Sequence, residues 1–280
     1  DGVLSVDEES LKGLLTHDKS GVVLALLKLS KAGTMVSILE RLKPGPDGRI
    51  RTWISPSGTE TGRGSHSETF LEVSTNLWNL PKKEAIHEPL YDVRRCLVPD
   101  PGEVFVEGDL SNAEARIVAA LCGNKMLLER MADPAFDVYR WTAAMILKKP
   151  MDDVTKADRV LYKEACLALG YGMGWLTYMR RVNDNAEHTG VTITAYQAKV
   201  VVAAYHRLHP SLQGWWKQVA EKLAERGVLT TGFGRTRRFF GRRSYEGWLD
   251  ETHKEAIAFE PQSTVADLLN RGLLRWWNHH

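Results

Sequence analysis

From Asp133 to Arg226 apolar residues recur at helical spacing, with breaks at Lys149-Pro150, at Gly170 to Gly174 and at Asn183 to Gly190. A block of amphipathic helices this long must bury its apolar faces helix against helix, which leaves little room for a large sheet. Thr194 to Leu208 and Leu212 to Arg226 are its clearest members, and Gly227 ends the second as a C′ glycine should. Residues 10 to 42 also read as helical, with Leu24, Leu27, Leu29, Ile38, Leu39 and Leu42 on an apolar face, until Gly45-Pro46-Asp47-Gly48 breaks the pattern. The polar, Ser/Thr/Gly-rich run from Arg49 to Leu80 is too long for an idle loop, so it is expected to carry function. Val104-Phe105-Val106 reads as a short strand that runs into a helix from Asn112 to Leu121. Val228 to Phe240 reads as a hairpin turning at Gly232-Phe233-Gly234, and Gln262 to Trp277 as a last helix. Helices with few, grouped strands predict an α+β architecture.

The 280 residues suit one large domain or two small ones, and 43% hydrophobic with 26% charged residues excludes a disordered, collagenous or coiled-coil chain. No uninterrupted apolar run approaches the ~20 residues that span a bilayer, so no membrane partner is expected. Asp1-Gly2-Val3-Leu4 lacks a basic start and an apolar signal core, and both ends read as those of a fragment. Cys96, Cys122 and Cys166 are widely spaced, without CxxC or zinc-ligand spacing, and fit a reducing cytoplasmic setting. His206 and His209 could form a metal pair, although capping or surface roles are the ordinary reading just before Pro210. A net charge of +2 says little, but Val228 to Arg243 holds Arg235, Arg237, Arg238, Arg242 and Arg243 and no acid. That patch is either a solvated face or a phosphate-contacting hairpin.

Two segments carry the chemistry. In the first, a strand delivers Asp109 to the start of a helix, where a rigid backbone can aim it at a hard cation; helix capping is the plainer alternative. In the second, Arg159, Lys163, Leu167 and Tyr171 recur every four residues and line one helix face. Two cations one turn apart repel, so the pair is not there to stabilise the helix. A cationic turn, an apolar turn and an aromatic suit a nucleotide, though a surface helix with ordinary lysines has the same look.

Together the segments resemble motifs of the family A DNA polymerases, the bacterial polymerase-I-like enzymes. Asp109 to Arg116 is similar to that family's first palm motif and Arg159 to Gly172 to its fingers helix. Thr61-Gly62-Arg63 with Ser65 and Ser67, then Asn76 to Pro81, resembles the segment gripping the primer-template minor groove. Asp137 to Ala143 resembles the helix facing the incoming triphosphate, Thr230 with Gly234 to Arg237 the palm hairpin, and Gln262 to Asp267 the helix ending near the template.

The resemblance implies a right-hand polymerase fold: thumb base at 1–50, first palm half at 51–122, fingers at 123–225 and an incomplete palm return at 226–280. It implies template-directed addition of deoxynucleotides to a primer 3′ end by two-metal phosphoryl transfer, with two Mg²⁺, dNTP substrates and primer-template DNA as partner, in a bacterial cell or phage-infected host. Asp109, and the carbonyl of Leu110, would ligate metal; Asp109 and Lys163 would be catalytic. Arg159, Lys163, Leu167, Tyr171, Glu114 and Tyr139 would hold the dNTP, with Glu114 as the steric gate against a 2′-hydroxyl. Arg63, Asn76, Asn79, Arg235, Arg237 and Gln262 would contact DNA, with binding that weakens steeply as salt rises.

Leu110 and Leu167 stand where the family commonly has aromatics, the latter as in phage-encoded members; Tyr139 replaces a frequent His, and Lys254 and Ala258 a frequent Arg and Asn. These departures predict slower or differently discriminating incorporation. The family's second metal-binding aspartate, in a His-Asp-Glu hairpin, is not among these residues, so a downstream segment or second chain is expected to supply it. The alternatives are a non-catalytic primer-template-binding module and a single-subunit RNA polymerase, against which Glu114 argues.

Overall fold

The structure, a computed structural model, describes residues 11, 14, 18, 20–67, 77–80, 93–240, 243–244, 247–248 and 250–279. The chain divides into two compact units, Asp1–Ser55 with Gly64–Val106, and Pro56–Arg63 with Glu107–His280.

In the first unit, helix α1 (Val22–Arg41) starts after Gly21, at φ 76°, where the Asp18 carboxylate accepts from the Val23 amide at 2.7 Å. Leu27 is buried, whereas Leu24, Leu26, Leu29 and Leu39 are exposed. By length and composition alone α1 is apolar enough to cross a membrane, although it holds no uninterrupted apolar run of that length. Lys28 and Lys31 divide its sequence, each costing roughly 2.5–3.5 kcal/mol at a bilayer centre. Strands β1 (Trp53–Ser55) and β2 (Ser65–Ser67) pair antiparallel, Ile54 opposite His66. Trp78 packs edge-on against the His66 ring at 4.3 Å and lies so near Gly64 that a Cβ there would meet it at 2.4 Å.

The second unit is the helical block. Its helices are α2 (Ala113–Leu121), α3 (Lys125–Met131), α4 (Val138–Leu147), α5 (Lys156–Leu169), α6 (Trp175–Asp184), α7 (Ala186–Thr189), α8 (Ala195–Leu208), α9 (Ser211–Arg226) and α10 (Asp250–His279). The breaks at Pro150 and at Gly170 to Gly174 fall where expected, whereas the third is shorter: α6 runs to Asp184 and α7 fills Ala186–Thr189 within it. Caps explain the starts: Asn124 caps α3, Asp137 caps α4, and Thr155–Asp158 and Thr194–Gln197 form capping boxes on α5 and α8. The core runs along one face of α5, α6, α8 and α9, through Tyr162, Leu169, Tyr178, Ala198, Val219 and Leu223.

Thr155→Ala removes the acceptor for the Asp158 amide, 3.1 Å away, and is expected to cost about 1 kcal/mol. In a unit of this size that lowers Tm by roughly 2–4 °C in a thermal melt.

Strands β3 (Val228–Thr230) and β4 (Thr236–Arg238) form the expected hairpin, and β5 (Arg243–Ser244) and β6 (Gly247–Trp248) a second pair. Among the described residues the strands make three separate two-stranded pairs and no shared palm sheet.

Two expectations fail. Val104, Phe105 and Val106 form no strand: nothing among the described residues pairs with them, and they stand 77%, 69% and 80% exposed. A strand exists through its partner, and apolar residues alone do not provide one. The last helix begins at Asp250 rather than Gln262 and runs through Pro261, which is fully buried.

Candidate functional site

Asn112 sets the entry to α2. It takes the left-handed conformation, at φ 52°, that asparagine tolerates better than most residues, and this puts Glu114 in the helix's first turn. A carboxylate there lies where the helix dipole favours negative charge. Both its oxygens are used. The Tyr171 hydroxyl, just past the end of α5, donates to Glu114 Oε2 at 2.8 Å, and Arg63 Nη2 donates to Oε1. Burial first, and the Glu114 charge second, raise the Tyr171 pKa far above the usual phenol range, so the hydroxyl remains a donor.

Glu114 and Tyr171 also wall a small cavity of about 40 Å³, together with Tyr139, Leu167, Thr142 and Cys166. That is space on the scale of a water molecule. Burial pushes the Cys166 thiol up to about 12, and it donates weakly to Thr142 Oγ1 at 3.5 Å; it is an inert, neutral wall. His209 lines the same cavity, between Tyr205 at 4.6 Å and Trp141 at 6.2 Å. Burial lowers its pKa to about 4, so the ring is neutral. Neither His206 nor His209 belongs to a potential metal cluster among the described residues.

Arg159 leaves α5 toward the start of α4. Its Nε donates to Asp137 Oδ2 at 2.6 Å, and its guanidinium carbon lies 5.5 Å over the Tyr139 ring. Asp137 Oδ1 meanwhile accepts from the Tyr139 and Arg140 amides, each at 3.1 Å. Burial works to raise the Asp137 pKa, but Arg159 and these amides outweigh it, and the carboxyl titrates below its usual value. Lys163 is exposed one turn on.

Six of the sequence-chosen residues are thereby brought into contact or onto one wall: Arg63, Glu114, Tyr139, Arg159, Leu167 and Tyr171. Asp109 and Leu110 are exposed in a stretch outside any helix or strand, and Gln262 is half-buried on α10. Asp109 does not cap α2; Asn112 holds that position. Asn76 and the side chain of Asn79 lie outside the described residues.

Arg235 and Arg237 face carboxylates: Arg235 donates to Asp267 at 2.6 Å and to Ser57 at 3.0 Å, and Arg237 pairs with Glu60 and with Glu255 at 2.8 Å. The Arg235 guanidinium also crosses Gly62 (φ +74), where a Cβ would fall 2.3 Å from it. The basic patch is therefore partly neutralised by acids from outside its own stretch. Asp137 was overlooked as a site residue, although an Asp directly before an apolar helical period is a cap signal.

A family model described as DNA polymerase family A matches residues 1–279. The chain belongs to that family. This family A chain is 27% identical over 278 residues to DNA polymerase I of Aquifex aeolicus, covering 98% of its own length and 42% of that relative. It is 28% identical over 229 residues to the DNA polymerase of Mycobacterium phage D29, covering 81% of itself and 32% of the phage protein. The POL domain of Pol1 from M. smegmatis, solved with DNA primer-template and dNTP, superposes with a TM-score of 0.73 at 23% identity, over 95% of this chain and 44% of that one. The last likeness establishes a shared fold. The chain thus spans less than half the length of these relatives.

The family uses divalent metal, and Asp109 offers the hard oxygen that Mg²⁺ takes. Among the described residues no group of three or more His, Cys, Asp or Glu is placed to hold an ion.

Proposed function

We propose that the protein containing this chain extends a primer 3′ end on a DNA template and selects deoxynucleotides. The observation that carries this reading is the Glu114 junction, where one carboxylate takes Tyr171 and Arg63 at the edge of a cavity also lined by Tyr139 and Leu167. Glu114 lies under the sugar and excludes a 2′-hydroxyl, and Tyr171 closes the fingers over the templating pair. Arg159 and Lys163 hold the triphosphate, and Lys163 protonates the departing pyrophosphate. Arg63 and Gln262 read minor-groove acceptors at the primer end, an edge that reports pair shape more than sequence.

Arg235 and Arg237, with their carboxylate partners, shape the hairpin that bears on the DNA. Residues 1–50 serve as thumb base, 51–122 and 226–280 as palm, and 123–225 as fingers. Asp109 is the metal carboxylate this chain contributes. Two-metal phosphoryl transfer needs a further carboxylate beside it. The names of the bacterial and phage relatives, and the DNA and dNTP in the structural neighbour, support the assignment.

The test is primer extension by the full-length protein with Mg²⁺ and either four dNTPs or four rNTPs. Lengthening with dNTPs alone is the expected result; no extension, or equal use of rNTPs, overturns the reading.

A further inference from the structure

We infer that Asp137 is a positioning residue for the nucleotide triphosphate, presetting Arg159 through its Nε edge so that the terminal nitrogens of the fork stay open for phosphate. The inference rests on the nucleotide-site reading above. Arg159 makes its ion pair with Asp137 at 2.6 Å through Nε, and among the described residues no carboxylate takes Nη1 or Nη2. A guanidinium held by that edge is fixed in plane and direction while the two outer nitrogens remain available. The Tyr139 ring fixes the remaining freedom, lying beneath the guanidinium at 5.5 Å.

Asp137 is itself immobile. Its other oxygen caps α4 through the Tyr139 and Arg140 amides, so one side chain locks the first turn of α4 to the cation of α5. The same contacts answer the objection that an acid beside a phosphate site repels its ligand. The carboxylate's charge is already met by the guanidinium and by the helix N-terminus, and what faces outward is the cation. Tyr139, where relatives often carry a histidine, then contributes a platform for Arg159 in place of a second charge.

The experiment measures binding of dTTP and of dTMP, with Mg²⁺, to the full-length protein on a primer-template ending in a dideoxynucleotide opposite the next template A. Asp137→Asn keeps a good helix cap and loses the charge; Asp137→Ser keeps a cap and cannot reach Arg159. Both are expected to weaken dTTP about tenfold, the scale of one charge-assisted hydrogen bond, with dTMP affinity unchanged. Equal weakening of dTTP and dTMP means a merely structural role and overturns the inference, as does tighter dTTP binding. If Arg159→Ala abolishes the preference for triphosphate while both Asp137 variants keep it, the positioning role falls and the nucleotide site stands. If the unaltered protein binds dTTP no better than dTMP, both fall.

Discussion

Glu114→Ala is expected to lower the full-length protein's preference for deoxy- over ribonucleotides by about a hundredfold, equivalent to about 2.8 kcal/mol. On the proposed reading Glu114 is the gate, and its carboxylate is held from both sides, by the Tyr171 hydroxyl at 2.8 Å and by Arg63. Alanine removes the obstacle and opens the space. Glu114→Gln keeps the bulk and an acceptor for Tyr171, and should retain most of the selectivity. The alanine variant also leaves the half-buried Tyr171 phenol without its acceptor, at a cost of about 1 kcal/mol in stability. Loss of the Arg63 pair adds little, since that arginine is 46% exposed. The measurement is the ratio of kcat/KM for dCTP and CTP; an unchanged ratio in Glu114→Ala removes the gate from Glu114.

The second large effect is acid sensitivity at His209. Its ring is 5% exposed between Tyr205 and Trp141, and burial, with His206 adding a smaller contribution, brings its pKa from 6.5 to about 4. The unfolded chain therefore takes up the proton first as pH falls. Stability is intact above about pH 6.5 and drains away down to about pH 4, a loss of about 3 kcal/mol from this one group. Urea denaturation at pH 7 and pH 4.5 should show the unaltered protein losing about 2–3 kcal/mol more than His209→Gln between the two. Parallel losses show that burial does not hold this ring neutral. The neutral imidazole also keeps the wall behind Leu167 uncharged, as suits a cavity bordered by Cys166 and Tyr205.

Local signals made most of the helical block legible in the sequence. Pro150 and Gly170 to Gly174 stop helices for reasons contained in those residues, and the structure breaks there, while Gly190 ends the short α7 in the left-handed conformation. Pairing was legible only where a turn joins the strands, as in the β3–β4 hairpin. Val104 to Val106 has strand composition but no partner among the described residues, and Pro261 reads as a boundary although flanking packing carries α10 through it.

The site divides the same way. Four-residue spacing put Arg159, Lys163 and Leu167 on one face of α5 without coordinates, with Tyr171 just past its end rather than on it. The partners that decide what those groups do come from elsewhere: Glu114 and Arg63 are 51 residues apart, Asp137 and Arg159 are 22 apart. Charge counting along Val228 to Arg243 could not show the acids that meet it, because Glu60, Glu255 and Asp267 reach it only through folding.

Pro261 leaves α10 without one rung of its backbone ladder, and a rod with a missing rung pivots there at little cost. The β3–β4 hairpin lies alongside that weak point as a splint. Arg237 grips Glu255 on the near side of the proline and Arg235 grips Asp267 on the far side. The two clamps are two residues apart on a stiff ribbon, so the stretch of α10 carrying Gln262 is braced from outside the rod rather than by its own ladder.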